Sequence, residues 1–205
     1  MPDTVIIPGP DVTLEGRFLP GAGGSGVVIT HPHPLFGGSM SNNVVWTAER
    51  AFHTRGLATL CFNFRGVNRS TGTYGGGEAE VADVAAALDF LKARSPGPHY
   101  LVGYSFGAFV AGRALLQGLP AQGAVFIAPP INFMDLSWLP RVPALRLVVA
   151  GDRDDLCPLA DLRRLVAAEG EAPAATPEII IIAGTDHFFG GREDKLFQVL
   201  RDFPL

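Results

Sequence analysis

From residue 26 onward, short apolar runs alternate regularly with helix-like stretches, and this alternation limits the chain to few folds. The apolar runs predict strands at 27–30, 58–64, 100–102, 124–127, 145–150 and 178–182. Helical patterns follow five of these runs, at 42–54, 78–94, 106–117, 159–168 and 192–201. Strands that are apolar throughout and alternate with helices predict a mainly parallel, twisted sheet with helices on both faces.

The first 25 residues have a different character. Residues 4–7 and 13–19 predict two strands separated by Pro-Gly-Pro, and the second alternates apolar with polar residues, as an antiparallel edge hairpin does. The whole sheet is therefore expected to hold about eight strands. Glycine and proline are spread between the elements and form no linker, so we expect a single domain over residues 1–205.

Charge and hydropathy exclude several kinds of partner. The chain has 16 basic and 20 acidic side chains, a net charge of −4, which offers no basic face for nucleic acid. Its apolar runs are shorter than the roughly 18 residues of a membrane span, and its N-terminus lacks the features of an export signal. We therefore expect a cytoplasmic protein with no membrane partner, either a monomer or a small homo-oligomer.

A possible nucleophile lies between a predicted strand and a predicted helix. The segment Gly103-Tyr-Ser105-Phe-Gly107 fits G-x-S-x-G, and at such a junction a tight turn pushes the serine outward while the glycines allow strand and helix to approach. The pentapeptide alone also fits an ordinary Gly-Ser-Gly turn. Its position at a strand end favours a catalytic serine.

A serine nucleophile needs a base and a third group that orients the base. His187 directly follows the last predicted strand and is the candidate base. Three aspartates that follow the strand at 145–150 compete for the third position: Asp152, Asp154 and Asp155. Because the carboxyl ends of parallel strands meet at one edge of the sheet, these side chains are expected near Ser105.

The segment HPHPLFGG at 31–38 follows the first parallel strand, where an acyl-transfer enzyme needs a backbone N–H for the developing oxyanion. Its two prolines cannot donate. We expect Leu35 to supply this N–H, beside the N–H of Phe106, the residue after the serine. His33 and Phe36 are the alternative donors.

The same segment allows a second interpretation, because His-x-His at a strand end can bind zinc. No third ligand stands at a matching spacing in the sequence. We therefore expect neither a metal nor another cofactor.

Five stretches together carry a family resemblance that runs from about residue 5 to the C-terminus: HPHPLFGGSMSNN, FNFRGVNRSTGTYGGGEAE, GYSFGAFVAG, GDRDDLCP and GTDHFF. They resemble the small bacterial α/β-hydrolases with an HPHP-x-x-GG oxyanion loop, which are similar to compact carboxylesterases and thioesterases without a cap domain. The resemblance implies a carboxylesterase-like serine hydrolase with the triad Ser105, Asp154 and His187. Asp154 is favoured because G-x-x-D-x-x-x-P resembles the acid turn of such enzymes, and the chain order matches theirs.

One position departs from the family pattern. Such proteins read R-G-x-G-x-S in the second loop, whereas this chain has Asn68 at the second glycine. Asparagine tolerates a positive φ better than most residues, so we expect the turn to be kept. We assign Arg65 of this loop to an ion pair with Asp83 and not to substrate binding.

These observations predict a capless α/β-hydrolase that cleaves small carboxylic esters or thioesters through an acyl-enzyme intermediate. The loop at 128–140 is expected to line the acyl pocket, although its large apolar side chains would equally suit the core. The expected pocket residues are His33, Phe36, Phe133, Met134 and Trp138. A small peptidase or amidase is the alternative enzyme, and a non-catalytic hydrolase-like binding protein is the alternative without catalysis.

Overall fold

The computed structural model describes residues 3–167 and 176–205. The strands in this part of the chain are β1 (Asp3–Pro8), β2 (Thr13–Leu19), β3 (Gly26–Thr30), β4 (Ala58–Phe62), β5 (His99–Tyr104), β6 (Gly123–Ile127), β7 (Leu145–Gly151) and β8 (Glu178–Ile182). The α-helices are α1 (Asn43–Thr54), α2 (Glu80–Lys92), α3 (Phe106–Leu116), α4 (Leu159–Val166) and α5 (Glu193–Asp202). Short 3₁₀ turns span Pro34–Phe36 and Leu139–Arg141.

The strands form one sheet in the order β1-β2-β4-β3-β5-β6-β7-β8. The pairs β1–β2 and β2–β4 are antiparallel, and every pair from β4 through β3 to β8 is parallel. This arrangement confirms the predicted α/β-hydrolase fold, a mainly parallel sheet with an antiparallel N-terminal edge. The loops at the carboxyl ends of the parallel strands contain no helix longer than a 3₁₀ turn, so the described residues include no cap domain.

Helices cover both faces of the sheet, as predicted. Helices α2, α3 and α4 pack on one face, called here the α3 face, and α1 and α5 pack on the other, the α1 face. Successive strand residues point to opposite faces. In β3, Val28 therefore joins the core of the α3 face, whereas Val27 and Ile29 join that of the α1 face. Burial on both faces explains why this strand is apolar throughout.

Several elements end earlier than predicted. Strand β4 ends at Phe62 and not at residue 64, and the N–H of Phe64 donates to the His31 side chain at Nε2 and not to a neighbouring strand. Helix α4 ends at Val166, and the last residue of the helix predicted at 159–168 lies outside the described residues. None of the described helices is long and apolar enough to cross a membrane.

The loop between β4 and α2 is fixed by a buried ion pair, as predicted. The Arg65 guanidinium binds the Asp83 carboxylate at 2.7 Å, and the Arg65 N–H donates to the same carboxylate at 3.0 Å. Asn68 adopts a φ of 49°, which confirms that asparagine keeps the turn here. The loop is therefore held beside the carboxyl ends of the parallel strands.

Candidate active site

The turn between β5 and α3 presents Ser105, which has a φ of 53°. A Cβ atom at Gly103 would lie 2.5 Å from Ala108 Cα, and one at Gly107 would lie 2.6 Å from the Thr30 carbonyl oxygen. Neither position has room for a side chain. The two glycines therefore let α3 start directly against β5 and β3, as G-x-S-x-G predicts.

Three buried side chains form a hydrogen-bonded chain at the strand ends. His187 Nε2 lies 2.9 Å from Ser105 Oγ, and His187 Nδ1 lies 2.9 and 3.0 Å from the two Asp154 carboxylate oxygens. A carboxylate can only accept, so Nδ1 carries the proton and the lone pair of Nε2 faces the hydroxyl. This geometry allows His187 to take the proton of Ser105.

The three competing aspartates have different partners. Asp154 Oδ1 also accepts from the N–H groups of Leu156 and Cys157, each at 2.9 Å, which fixes the carboxylate under the imidazole. The Asp152 side chain instead accepts from the N–H of Gly184 at 2.6 Å and therefore ties the end of β7 to the loop that carries His187. Asp155 is exposed. Only Asp154 of these three contacts the imidazole.

One contact of this site was missed by sequence reasoning. The Tyr104 hydroxyl donates to the His187 carbonyl at 3.0 Å, and burial raises the pKa of this tyrosine. Tyr104 is the first variable residue of G-x-S-x-G, and nothing in that motif indicates a partner for it. The hydroxyl fixes the backbone of the loop that positions the imidazole.

The loop after β3 presents its amides in a different way from the one expected. The N–H of Leu35 donates to His33 Nδ1 at 3.2 Å, and the N–H of Phe36 donates to the His33 carbonyl at 3.1 Å. Within residues 3–167 and 176–205, the N–H of His33 has no acceptor. The N–H of Phe106, at the first position of α3, has no intrahelical acceptor either. Both residues line the cleft that contains Ser105.

The two histidines of this loop have separate environments. His31 is fully buried, accepts at Nε2 from the Phe64 N–H at 3.0 Å and donates from Nδ1 to the Pro32 carbonyl; burial lowers its pKa to about 4. His33 donates from Nε2 to the Tyr74 hydroxyl at 3.1 Å, because its Nδ1 is already an acceptor. In the described part of the chain, no three His, Cys, Asp or Glu side chains form a group that could hold a metal.

Ser105 and His187 open into a cleft of about 520 Å³. Four of the expected pocket residues line it: His33, Phe36, Phe133 and Met134. Asn42 and Phe188 also line the cleft, and neither was among the expected pocket residues. Phe188 directly follows His187, so adjacency to the candidate base could have pointed to it.

Trp138 was expected to line this cleft, but it does not. Its ring packs against Phe109, with ring centroids 5.7 Å apart, and lines an adjoining groove of about 660 Å³. His33, Phe133 and Met134 border both cavities. Phe133 thus stands between the serine cleft and the adjoining groove.

The fold and the serine at its strand-to-helix turn define an α/β serine hydrolase. Residues 37–151 match the family described as serine aminopeptidase, S33, and the chain belongs to this family. An uncharacterized protein of Rickettsia prowazekii is 31% identical over 203 residues, which cover 95% of this chain and 85% of that protein.

Two solved structures are similar over nearly the whole chain. An α/β serine hydrolase homologue from Coxiella burnetii is 33% identical with a TM-score of 0.87, and the match covers 97% of this chain and 95% of that one. An α/β serine hydrolase without lid from Xanthomonas campestris is 30% identical, also with a TM-score of 0.87, and the match covers 98% and 92% of the two chains. The likeness to the structure without lid agrees with the absence of a cap among the described residues.

Proposed function

We propose that this protein hydrolyses small carboxylic esters or thioesters through an acyl-enzyme intermediate on Ser105. The observation that carries the proposal is the chain of hydrogen bonds from Asp154 through His187 to Ser105 Oγ, which ends in an open cleft. A serine hydroxyl becomes a competent nucleophile when a base can remove its proton. Here the base is already in contact with the hydroxyl and is oriented by a buried carboxylate.

In the proposed reaction, Ser105 Oγ attacks the carbonyl carbon while His187 Nε2 takes the hydroxyl proton. The Asp154 carboxylate stabilises the imidazolium that forms. His187 then gives the proton to the departing alcohol or thiol, which leaves the acyl group on Ser105. A water molecule, deprotonated by His187, attacks this acyl-enzyme and releases the acid.

The oxyanion of each tetrahedral intermediate needs two N–H donors. We assign them to Phe106 and His33. The N–H of His33 is preferred to that of Leu35 because the latter already donates to His33 Nδ1. Neither of the two assigned N–H groups has an acceptor in the described part of the chain. Each can therefore donate to the oxyanion without first breaking a hydrogen bond within the protein.

The family description raises aminopeptidase activity as the second candidate. An aminopeptidase binds the α-ammonium group of its substrate, and carboxylates are the side chains that pair with ammonium. The described residues that line the serine cleft include no aspartate or glutamate. Aromatic and aliphatic side chains line it instead, which favours an uncharged acyl group.

A substrate panel tests this proposal. We expect turnover of p-nitrophenyl esters and acyl thioesters with two to six acyl carbons, kcat/KM values at least a hundredfold lower for aminoacyl p-nitroanilides, and one phosphonate label per chain, on Ser105. Ser105→Ala should lower turnover about a millionfold and abolish labelling. Labelling of another serine such as Ser70, or higher kcat/KM for the anilides, would contradict the proposal.

A further inference from the structure

The serine cleft crosses the carboxyl edge of the sheet, and its two ends rest on different faces. Met134, at one end, packs against the core of the α3 face. At the other end, Phe188 precedes Phe189, which is buried in the core of the α1 face, and Asn42 directly precedes α1. A substrate that spans the cleft therefore meets two separate sets of side chains.

The position of His187 indicates which end receives the leaving group. In the proposed mechanism, the imidazole Nε2 must deliver its proton to the departing oxygen or sulfur, so the leaving group lies on the His187 side of Ser105. The Phe188 ring meets the His187 ring edge-on, with centroids 5.6 Å apart. Phe188 therefore borders the space that the leaving group enters.

The start of α1 is fixed at this same end. Asn43 Nδ2 donates to the Phe188 carbonyl at 3.1 Å and to Glu193 Oε1 at 3.1 Å. This side chain joins the loop of His187 to the first residue of α1. Asn42, the preceding residue and a lining residue of the cleft, consequently lies beside Phe188.

The amide of Asn42 has a defined orientation. Its Oδ1 accepts from the Val44 N–H at 2.9 Å, as the side chain of an N-cap residue does. The side-chain amide therefore cannot flip and exchange the positions of Oδ1 and Nδ2. Its Nδ2 carries two hydrogens and has no acceptor among residues 3–167 and 176–205. The cleft thus contains an oriented side-chain donor that the proposed catalytic steps do not use.

We propose that Phe188 and Asn42 form a leaving-group subsite, in which Asn42 Nδ2 donates to an oxygen carried by the alcohol or thiol part of the substrate. The inference rests on the proposed ester and thioester hydrolysis. It specifies the substrate class: the leaving group bears an ether, hydroxyl or carbonyl oxygen close to the scissile bond, as in glycol-type esters, and is not a plain alkyl chain. The acyl group occupies the opposite end, against Phe133 and Met134.

A matched pair of esters measures this preference. In 2-methoxyethyl butyrate an ether oxygen replaces one methylene of n-butyl butyrate, and the two molecules are otherwise alike. Their kcat/KM ratio is divided by the ratio of their hydroxide-catalysed rates, which removes the intrinsic reactivity of the leaving groups. We expect a corrected ratio of about five to ten in favour of the ether, the effect of one hydrogen bond.

Two conservative variants identify the donor. Asn42→Asp keeps a side-chain oxygen that can cap α1 and has no hydrogen to donate. Asn42→Ser also keeps a capping oxygen, but its one hydroxyl hydrogen is carried on a side chain shorter than that of asparagine. The corrected ratio should fall to about one in Asn42→Ser and below one in Asn42→Asp, where a carboxylate faces the ether oxygen. The preference between n-butyl acetate and n-butyl hexanoate should stay the same in both variants, because the acyl end is separate.

The outcomes separate this inference from the function on which it rests. Cleavage of both esters that depends on Ser105, with a corrected ratio of one in the parent protein, would overturn the subsite and leave the proposed function standing. A corrected ratio that Asn42→Asp leaves unchanged would also overturn it, and so would a variant that changes the acyl preference as much as it changes this ratio. Absence of cleavage of either ester, together with absence of phosphonate labelling, would overturn both.

Discussion

The floor and the rim of the serine cleft are built on opposite principles. The floor is formed by side chains that are almost fully buried: Ser105 is 7% exposed, His187 5% and Asp154 4%. The rim is formed by aromatic side chains that face water: Phe36 is 75% exposed, Phe188 65% and Phe133 53%.

The two exposures indicate that catalysis depends on the floor and substrate preference on the rim. On the floor, Asp154 and His187 have hydrogen-bond partners that fix their orientation, and burial strengthens those interactions. On the rim, Phe36 and Phe133 touch each other edge-on at 5.9 Å and are held by weaker contacts. We therefore expect floor substitutions to change the rate of all substrates and rim substitutions to change which substrate is preferred.

The acid of the floor should be the most sensitive of these positions. Asp154→Asn should lower kcat about ten-thousandfold, because an amide can no longer hold the Nδ1–H tautomer of His187. Asp155→Asn is the matched control, since its side chain is exposed, and should stay within about threefold of the parent. Steady-state kinetics with a p-nitrophenyl ester measures both. The assignment of the acid would be wrong if Asp155→Asn were the crippling change.

The next effect concerns the oxyanion. His33 has a φ of −57°, which proline can adopt, so His33→Pro removes its N–H with little change of backbone. His33→Ala removes the same imidazole and keeps the N–H. We expect kcat of the proline variant to be about a hundredfold below that of the alanine variant. Equal kcat values in the two variants would indicate that Leu35, and not His33, supplies the second N–H to the oxyanion.

The free energy of unfolding of the protein should depend on pH because His31 is fully buried. Its pKa is lowered to about 4 in the fold and is near 6.5 when unfolded, so below pH 6.5 the unfolded state binds more protons. The resulting loss in the free energy of unfolding should approach about 3 kcal/mol by pH 4. Urea unfolding at pH 7 and at pH 4.5 measures this loss.

The matched variant for this titration is His31→Gln, which keeps a donor and an acceptor but cannot titrate between these pH values. Its free energy of unfolding should fall less steeply than that of the parent between pH 6.5 and 4.5. Identical slopes would mean that His31 does not make this contribution. If the variant does not fold, NMR titration of the His31 ring in the parent measures the pKa directly.

The smallest effect concerns the rim. The parent should prefer acyl chains of about two to six carbons, since Phe133 closes the cleft toward the adjoining groove. Phe133→Ala should open this wall and raise kcat/KM for eight-carbon esters about threefold or more, because each buried methylene contributes about 0.8 kcal/mol. Leu116→Ala, on the far wall of the groove, should leave the optimum in place. A steady rise to roughly sixteen carbons in the parent would contradict the closed wall.

Much of the fold was predictable because burial leaves a direct record in the sequence. Strand β3 is buried on both faces and is therefore apolar throughout, and β2 alternates because one of its faces is more exposed. The turn of Ser105 was predictable for a similar reason, since only glycine fits at Gly103 and Gly107. Local steric demands of this kind restrict residue types, so a sequence reveals them.

The details that sequence reasoning missed depend on the exact conformation of loops and on contacts between distant segments. The Leu35 N–H points to His33 because the loop forms a 3₁₀ turn, which the prolines alone do not specify. The loop at 128–140 has no hydrophobic period, so nothing in it distinguishes Phe133, which faces the serine cleft, from Trp138, which faces the adjoining groove. Tyr104 finds its partner 83 residues away.

The positive φ of Ser105 also has a thermodynamic consequence. With a φ of 53° and a ψ of −119°, the residue occupies a conformation that costs an L-amino acid on the order of 1–3 kcal/mol and costs glycine little. Ser105→Gly should therefore yield a protein that resists urea better than the parent while having no nucleophile. At this one position, the residue that would give the highest free energy of unfolding is not the residue that reacts. The protein is therefore less stable than the same fold would be with glycine here, and the difference is the cost of presenting a hydroxyl.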